Sequence, residues 1–292
     1  MSMNLFQSVK QAISSLDPQE VRDQSDRPIR IGLHATSERA YRQMENFFAP
    51  PQLSERKRVE LSRIVFRVAH FEHYDVDIYS DELSAPREGF IFSPTNPDHT
   101  VRDVLHRRAD LALPLARHVY PFRTPVVNRI ITKISKENAL FSVATAIPDI
   151  VPFLSLPWAI GEFASDTAFI TANQIRMAFY LAAASDRPIG YREQKAEIAS
   201  LLVGAFGWRA IARELVGKIP LGGGLLPKAA IAYAGTRVVG MSMERYYRIG
   251  YGFTREERRV AYEQALARGK TVAGALLSAL KREPAASSMA GR

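Results

Sequence analysis

A chain of 292 residues without cysteine excludes disulfides, thiol nucleophiles and thiolate metal sites. Its length allows one large domain or two smaller ones, and 47% apolar residues is ordinary for a globular protein. The net charge of +9 is concentrated in residues 141–292, which hold 19 Lys/Arg and 12 Asp/Glu, whereas residues 1–140 hold 20 and 18. A basic half suits an anionic membrane surface or an acidic partner; nucleic acid is disfavoured because no binding motif accompanies the charge.

The sequence predicts neither a secretory signal nor a transmembrane helix. The N-terminus has no basic leader followed by an apolar run. The most apolar stretch, Ile150 to Gly161, contains two prolines and is too short to span a bilayer. We therefore expect a cytoplasmic protein, with peripheral attachment to the inner face of the cytoplasmic membrane as an extension of that expectation.

Residues 3–16 have the pattern of an amphipathic helix, with Lys10 as the one charge before Asp17. Its apolar side is formed by Leu5, Phe6, Val9, Ile13 and Leu16. The helix could insert shallowly into a membrane surface, or dock on the body of the protein or on a second copy in a homo-oligomer. We favour docking. Residues 17–28, with two prolines and mixed charges, are predicted to form a linker.

A small α/β segment is predicted for residues 29–98. Strands are expected at Ile29–His34, Val76–Ser80 and Gly89–Ser93, with a helix from Glu38 to Ala49 capped by Ser37. The stretch from Glu55 to His70 fits a helix or a strand equally well.

The strand–turn–helix at the start of this segment is where a phosphate-binding loop would be sought. Counting from Gly32, the positions of the required glycine, lysine and Ser/Thr hold Ser37, Glu38 and Arg39. An acid in place of the lysine would repel phosphate. Hydrolysis of ATP or GTP is therefore improbable, and no cofactor is expected.

Residues 99–282 are predicted to form a multi-helix domain, followed by a disordered tail at 283–292. The expected helix starts are a capping pair of Thr100 and Asp103, the dipeptide Thr124-Pro125, and a capping box of Thr254 and Glu257. Long helices are expected over 155–185, 192–218 and 228–248, and a short final helix over 272–281. An interruption is expected at Pro114, a turn at 186–190 and a helix end at Gly269. The predicted fold class is thus mainly α, with a small N-terminal α/β segment.

The densest collection of metal-ligand residue types lies at His70, His73, Asp75 and Asp77. On a strand, the last three would share one face; on a helix, the two histidines would be neighbours. Imidazole and carboxylate together suit zinc or manganese. The same residues are also explained by an exposed polar strand, which we favour.

Polar residues inside the apolar helical half define a second candidate site. Asp166 and Gln174 belong to one predicted helix, while Arg213 and Thr236 come from other helices. They predict a hydrogen-bonded network that fixes helix register, or a ligand pocket between helices. The loop residues Gly222, Gly223 and Gly224, flanked by Lys218 and Lys228, could bind an anion, although a tight interhelical turn is the favoured interpretation.

Residues 138 to 247 resemble the helical domain found behind Era-like GTPase domains and in YcjF-type bacterial inner-membrane proteins. The features that carry this resemblance are Pro148, Asp166, Gln174, Met177, Lys218-Ile219-Pro220 before the glycines, Thr236, Gly240 and Tyr246. In the family a glycine usually follows the proline directly, whereas Leu221 stands there in this chain. The resemblance implies membrane association and partnership with a GTPase module, and no catalytic activity of the helical domain. The α/β segment would then be a degenerate GTPase remnant.

The sequence supports three functional hypotheses. The first is a non-enzymatic scaffold or adaptor that associates peripherally with a membrane surface or a protein partner. The second is a protein that binds a small ligand or an anion through the interhelical polar network. The third is a metal-dependent enzyme that uses His70 and His73. The first is favoured because neither a nucleotide-binding loop nor a nucleophile motif is present.

Overall fold

The structure is a computed structural model that describes residues 13–68, 73–145, 166–201 and 225–282, together with Gln7, Lys10 and Gln11. The predicted fold class is confirmed: the chain is mainly helical, with a small parallel sheet in its N-terminal region. It divides into two compact units. We call residues 19–129 and 182–188 the α/β unit, and residues 1–18, 130–181 and 189–292 the helical unit.

The α/β unit alternates helices with short strands. Its elements in chain order are α1 (Pro18–Ser25), β1 (Ile31–His34), α2 (Glu38–Phe48), α3 (Glu55–Leu61), β2 (Val65–Arg67), β3 (Val76–Ser80), β4 (Phe90–Phe92), α4 (Pro97–Arg107), α5 (Ala112–His118) and the first part of α6 (Tyr120–Ala144). The stretch after Glu55 that fitted either structure thus forms a helix and then a strand. The predicted linker at 17–28 forms α1, because Val21 and Ser25 are buried.

The four strands form a parallel sheet in the order β2-β1-β3-β4. Leu33 and Ile78 lie side by side on one face and are fully buried, as is Phe48 of α2. On the opposite face, a Cβ added to Gly32 would come within 2.8 Å of the Tyr74 ring. Only eight residues, 68–75, connect β2 to β3 across β1. Tyr74, which precedes β3 in this connection, therefore packs onto the glycine of β1.

Two predicted helix starts in this region are wrong. Helix α4 begins at Pro97, and the Thr100 hydroxyl inside it donates to the Ile91 carbonyl at 2.9 Å instead of capping an end. Helix α6 begins at Tyr120, so Pro125 lies inside it. Pro125 is the sixth residue of this helix, so the helix lacks the hydrogen bond that an amide at this position would donate to the Pro121 carbonyl. The helix predicted from Thr100 is interrupted, but at Arg108 and not at Pro114, which lies inside the short helix α5.

The helical unit contains the rest of α6, most of α7 (Asp166–Ala184), α8 (Leu225–Ile249) and α9 (Arg255–Arg282). Gly240 lets the middle of helix α8 approach its neighbours closely. A Cβ at Gly240 would lie 2.8 Å from Ile131 and 3.0 Å from Met177. The Thr254–Glu257 capping box is confirmed, with backbone-to-side-chain bonds of 2.9 and 3.3 Å in the two directions.

The predicted helix end at Gly269 is wrong, because α9 runs unbroken to Arg282. Gly269 is a packing residue: a Cβ there would lie 2.7 Å from the Ala230 carbonyl oxygen of α8. The α8–α9 pair is thus drawn together at a glycine, as small residues permit.

The predicted turn after α7 is present. Asp186 has φ 56°, and the Arg187 amide donates to the Ala182 carbonyl at 2.9 Å, as in a helix C-terminal cap. Several other predictions lie outside the described residues. They are the start of the 155–185 helix, the helix predicted to 218 beyond residue 201, the glycine loop and the tail at 283–292.

Candidate functional site

The sheet has a topological switch point between β1 and β3. The chain leaves β1 for β2 on one side, whereas β3 is followed by β4 on the other. In open parallel sheets, ligands bind outside the carboxyl ends of the strands at this point. Ser37 starts α2 here, and its hydroxyl accepts a hydrogen bond from the Ala40 amide at 3.2 Å.

A carboxylate of the chain itself occupies this crevice. The Thr36 hydroxyl donates to Glu82 Oε2 at 2.9 Å, and the Ser37 hydroxyl lies 3.2 Å from the same oxygen. Glu82 thus lies beside the start of α2, where the positive end of the helix dipole stabilises an anion. The phosphate of a nucleotide would be sought at the same place.

Glu38, the acid at the lysine position of a phosphate-binding loop, is paired with two arginines. Its carboxylate bonds Arg67 at 2.7 Å and Arg42 at 3.0 Å, and these two partners lower the pKa of Glu38. The acid that contacts Ser37 is Glu82, which lies 45 residues after it in the chain. No sequence motif links the two residues, so only the folded sheet reveals the contact.

His34 is a further residue of this edge that the sequence analysis missed. Its Nε2 atom lies 2.7 Å from Asp77 Oδ1, and its ring stacks on Tyr79 with centroids 4.1 Å apart. Burial, together with the charge of Asp77, raises the pKa of Tyr79. The imidazole is thus held in place by a carboxylate and an aromatic ring, which is a stable arrangement without further ligands.

The predicted metal ligands are not gathered on one strand. His70 lies outside the described residues, and β3 begins at Val76, so His73 and Asp75 precede it. Asp75 instead accepts a hydrogen bond from the Arg30 amide at 2.8 Å. In the part of the chain that the structure describes, no group of three or more His, Asp or Glu residues could hold a metal ion.

The interhelical polar network forms around Asn138, whose side chain is fully buried. Asn138 Nδ2 donates to Thr236 Oγ1 at 2.7 Å, and Asn173 Nδ2 donates to Asn138 Oδ1 at 2.8 Å. Gln174 Nε2 lies 3.4 Å from the same threonine oxygen. Three helices are thereby tied together, so the network fixes the register of α6, α7 and α8. Arg213 lies outside the described residues.

An ion pair of Glu137 and Arg176 extends this network. Both side chains are only 12% exposed, and Asn173 Nδ2 also donates to Glu137 at 3.2 Å. The Asn173 side-chain oxygen has no hydrogen-bond partner among the described residues. Asn138, Thr236 and Glu137 find hydrogen-bond partners within the network, as buried polar groups require.

Asp166 and Lys228 form a separate pair. Their carboxylate and ammonium groups are bonded to each other, and Lys228 Nζ also lies 3.4 Å from Thr145 Oγ1. The structure therefore does not bring Asp166 together with Gln174 and Thr236. Lys218 and the residues Gly222, Gly223 and Gly224 lie outside the described residues.

The α8–α9 hairpin contains most of the excess positive charge. Its two helices hold eleven Lys/Arg and four Asp/Glu. Each of the four acids is paired within the hairpin, in the ion pairs Glu244–Arg248, Glu257–Arg245, Glu256–Arg259 and Glu263–Arg259. After Glu263 the helix has no further acid up to its end at Arg282. Arg268 and Lys270 are exposed there, without an acidic partner among the described residues.

Comparison of the chain with models of protein families, with curated proteins and with solved structures finds no match. Within the described ranges, none of the helices combines the length and the apolar character that crossing a membrane requires.

Proposed function

We propose that the protein is a non-enzymatic adaptor that associates peripherally with an anionic membrane surface through the second half of α9. The observation that carries this proposal is the uncompensated charge of that segment. After the last acid of the helix, Arg268 and Lys270 are exposed without an acidic partner among the described residues, and Lys281 and Arg282 follow at its end. Basic residues without neighbouring acids attract anionic lipid headgroups.

The absence of a phosphate-binding loop in the sequence supports the non-enzymatic part of the proposal. The contact of Glu82 with Thr36 and Ser37 supports it further, because a second anion at the start of α2 would be repelled. An α/β unit of this kind would serve as a structural module. The partnership with a GTPase that the family resemblance implies would then supply nucleotide chemistry in a separate protein.

The N-terminal helix is the weaker candidate for the membrane contact. The Tyr191 hydroxyl lies 2.6 Å from the Ile13 carbonyl oxygen and 2.8 Å from that of Leu16. Leu16 is only 6% exposed. The end of this helix is therefore docked on the helical unit, which favours α9 as the contact with lipid.

Flotation of the full-length protein with anionic and with neutral liposomes tests the proposal. Replacing Arg268 and Lys270 together by alanine should weaken binding to anionic liposomes roughly 30-fold, because each basic residue near such a surface contributes about 1 kcal/mol. A matched control replaces Lys133 and Lys136, two exposed lysines of α6, and should bind like the wild type.

Recovery of the wild type in the unbound fraction, with and without anionic lipid, would refute the proposal. Equal losses in the two double variants would show a general charge effect and no defined surface. If removal of residues 1–16 alone abolishes flotation, the N-terminal helix is the anchor and α9 is not.

A further inference from the structure

The turn between α8 and α9 exposes a group of large apolar side chains. Tyr251 is 59% exposed, Tyr246 42% and Ile249 40%. Tyr246 and Ile249 are three residues apart at the end of α8 and share one face of it. We call these three residues the hairpin tip. Single apolar side chains are normal on a protein surface, but a group of them within one turn indicates an interaction surface.

The hairpin tip is held rigidly. Gly250, with φ +85°, ends α8 by donating its amide to the Tyr246 carbonyl at 2.8 Å. The Phe253 amide donates to Ser242 Oγ at 2.9 Å on the far side of the turn. The capping box described above then starts α9. The turn that carries Tyr251 is therefore fixed at both ends, and a partner would not have to order it.

Arg245 supports the Tyr251 side chain directly. Its guanidinium lies 5.1 Å from the centre of the Tyr251 ring, and it donates to Glu257 at 2.6 Å. The guanidinium is thus oriented by a carboxylate of α9 and by the aromatic face together. An aromatic ring that is fixed in this way and exposed is a suitable anchor for a binding interface.

The charges around the hairpin tip indicate the partner. Arg245, Arg248 and Arg259 are engaged by glutamates of the hairpin. Arg255 and Arg258 are exposed and have no acidic partner in the described part of the chain. Arg258 Nη2 donates to the Phe253 carbonyl at 3.3 Å, which places this guanidinium at the turn that carries Tyr251. The segment from Tyr246 to Arg258 therefore combines two exposed tyrosines with two guanidinium groups that have no acidic partner among the described residues, and tyrosine and arginine are typical of protein-binding hot spots. The glutamates nearby distinguish it from the second half of α9, where no acid is present.

We propose that the hairpin tip binds an acidic segment of a protein partner, with Tyr251 as the apolar anchor and with Arg255 and Arg258 binding carboxylates. Arginine suits this role because its planar group can bind a carboxylate through two parallel hydrogen bonds. The proposal does not depend on membrane association. It assigns to the adaptor a protein-binding surface that is separate from the basic segment after Glu263.

Fluorescence anisotropy with a labelled random copolymer of glutamate and tyrosine tests this inference on the full-length protein. Tyr251→Ala should weaken binding at least tenfold and should lower the thermal midpoint by no more than about 4 °C, because the side chain is exposed and loses only its contact with Arg245. The matched control is Tyr120→Ala in the α/β unit. Tyr120 is 56% exposed and lies 5.7 Å from the guanidinium of Arg123, so it presents a similar tyrosine–arginine pair. This control should bind the copolymer like the wild type.

Three results would overturn the inference. If the wild-type protein does not bind the copolymer, the proposed surface does not exist. If both tyrosine variants lose the same affinity for the copolymer, binding is not located at the hairpin tip. If Tyr251→Ala reduces flotation on anionic vesicles and leaves copolymer binding intact, the occupant of the tip is lipid. A lower binding affinity of Arg255→Ala/Arg258→Ala for the copolymer, with flotation unchanged, would support the proposed carboxylate contacts.

Discussion

The contact between Gly269 and Ala230 allows a sharp test of how α8 and α9 pack. In Gly269→Ala, the new Cβ would lie 2.7 Å from the Ala230 carbonyl oxygen and 3.3 Å from its carbonyl carbon and Cα atoms. These neighbours belong to the backbone of another helix and have no rotamer into which they can move. The helices must therefore separate locally, which also disturbs the adjacent packing of Tyr233 and Ala273.

Two opposing effects set the expected magnitude. Overpacking in a close-packed core costs about 1–3 kcal/mol, whereas replacing a helical glycine by alanine gains up to about 1 kcal/mol. With the full gain subtracted, a net loss of up to about 2 kcal/mol follows. For a unit of this size, such a loss lowers the thermal midpoint by up to roughly 8 °C.

Gly274→Ala is the matched control, because Gly274 lies five residues further along α9 and a Cβ there would meet no atom within 4 Å. Only the propensity gain remains, so its midpoint should rise by roughly 2–4 °C. Thermal melts followed by circular dichroism at 222 nm measure both variants. Two shifts in the same direction would refute the packing argument, because propensity alone predicts stabilisation at both positions.

Three further predictions concern single contacts. The hydrogen bond from Arg245, and to a smaller extent those of the capping box, lower the pKa of Glu257 from its ordinary value of 4.5 to about 2. Its carboxylate therefore stabilises the fold above pH 4.5, and this stabilisation is lost as the pH falls towards 2. The difference in thermal midpoint between wild type and Glu257→Gln should therefore shrink in that window; a constant difference would contradict this. Glu137→Leu or Arg176→Leu alone should lower the free energy of unfolding, measured in urea, by about 3 kcal/mol, because each change removes one charge of a buried ion pair. The double variant should lose less, because neither charge remains. Tyr191→Phe should speed amide hydrogen exchange at the end of the N-terminal helix about fivefold, because it removes one hydrogen bond of about 1 kcal/mol. An unchanged exchange rate would show that this hydroxyl does not dock the helix.

The sequence predicted those elements whose signals are local. Ser37 caps α2, as its residue type before the helix indicated. Thr254 and Glu257 cap α9, as their spacing indicated. Predictions failed where a residue serves a distant partner. Gly269 has the composition of a helix end, but its role is set by Ala230, 39 residues earlier. Thr100 resembles an N-cap, yet its hydroxyl bonds the Ile91 carbonyl outside its own helix.

The same limit applies to the candidate site. Gln174 and Thr236 could be selected from the sequence because polar residues inside apolar helices must find partners. Asn138, the fully buried centre of that network, gave no stronger signal than any other asparagine. Glu82 was equally hidden, because an acid in a turn after a strand is common and its contact with Ser37 depends on the order of strands in the sheet. Contacts between distant segments therefore require the folded chain.

The position of the acids along α9 separates the two proposed surfaces. The last acid is Glu263, and the uncompensated segment begins at Arg268, ten residues after Arg258. Ten residues span about 15 Å of helix, nearly twice the screening length of about 8 Å at physiological salt. The charges of one surface therefore contribute little at the other. Replacing Arg268 and Lys270 should leave copolymer binding at the hairpin tip unchanged, and Tyr251→Ala should leave flotation unchanged. If each change weakens both activities, α9 presents one continuous surface, and the adaptor cannot bind a membrane and a protein through it at the same time.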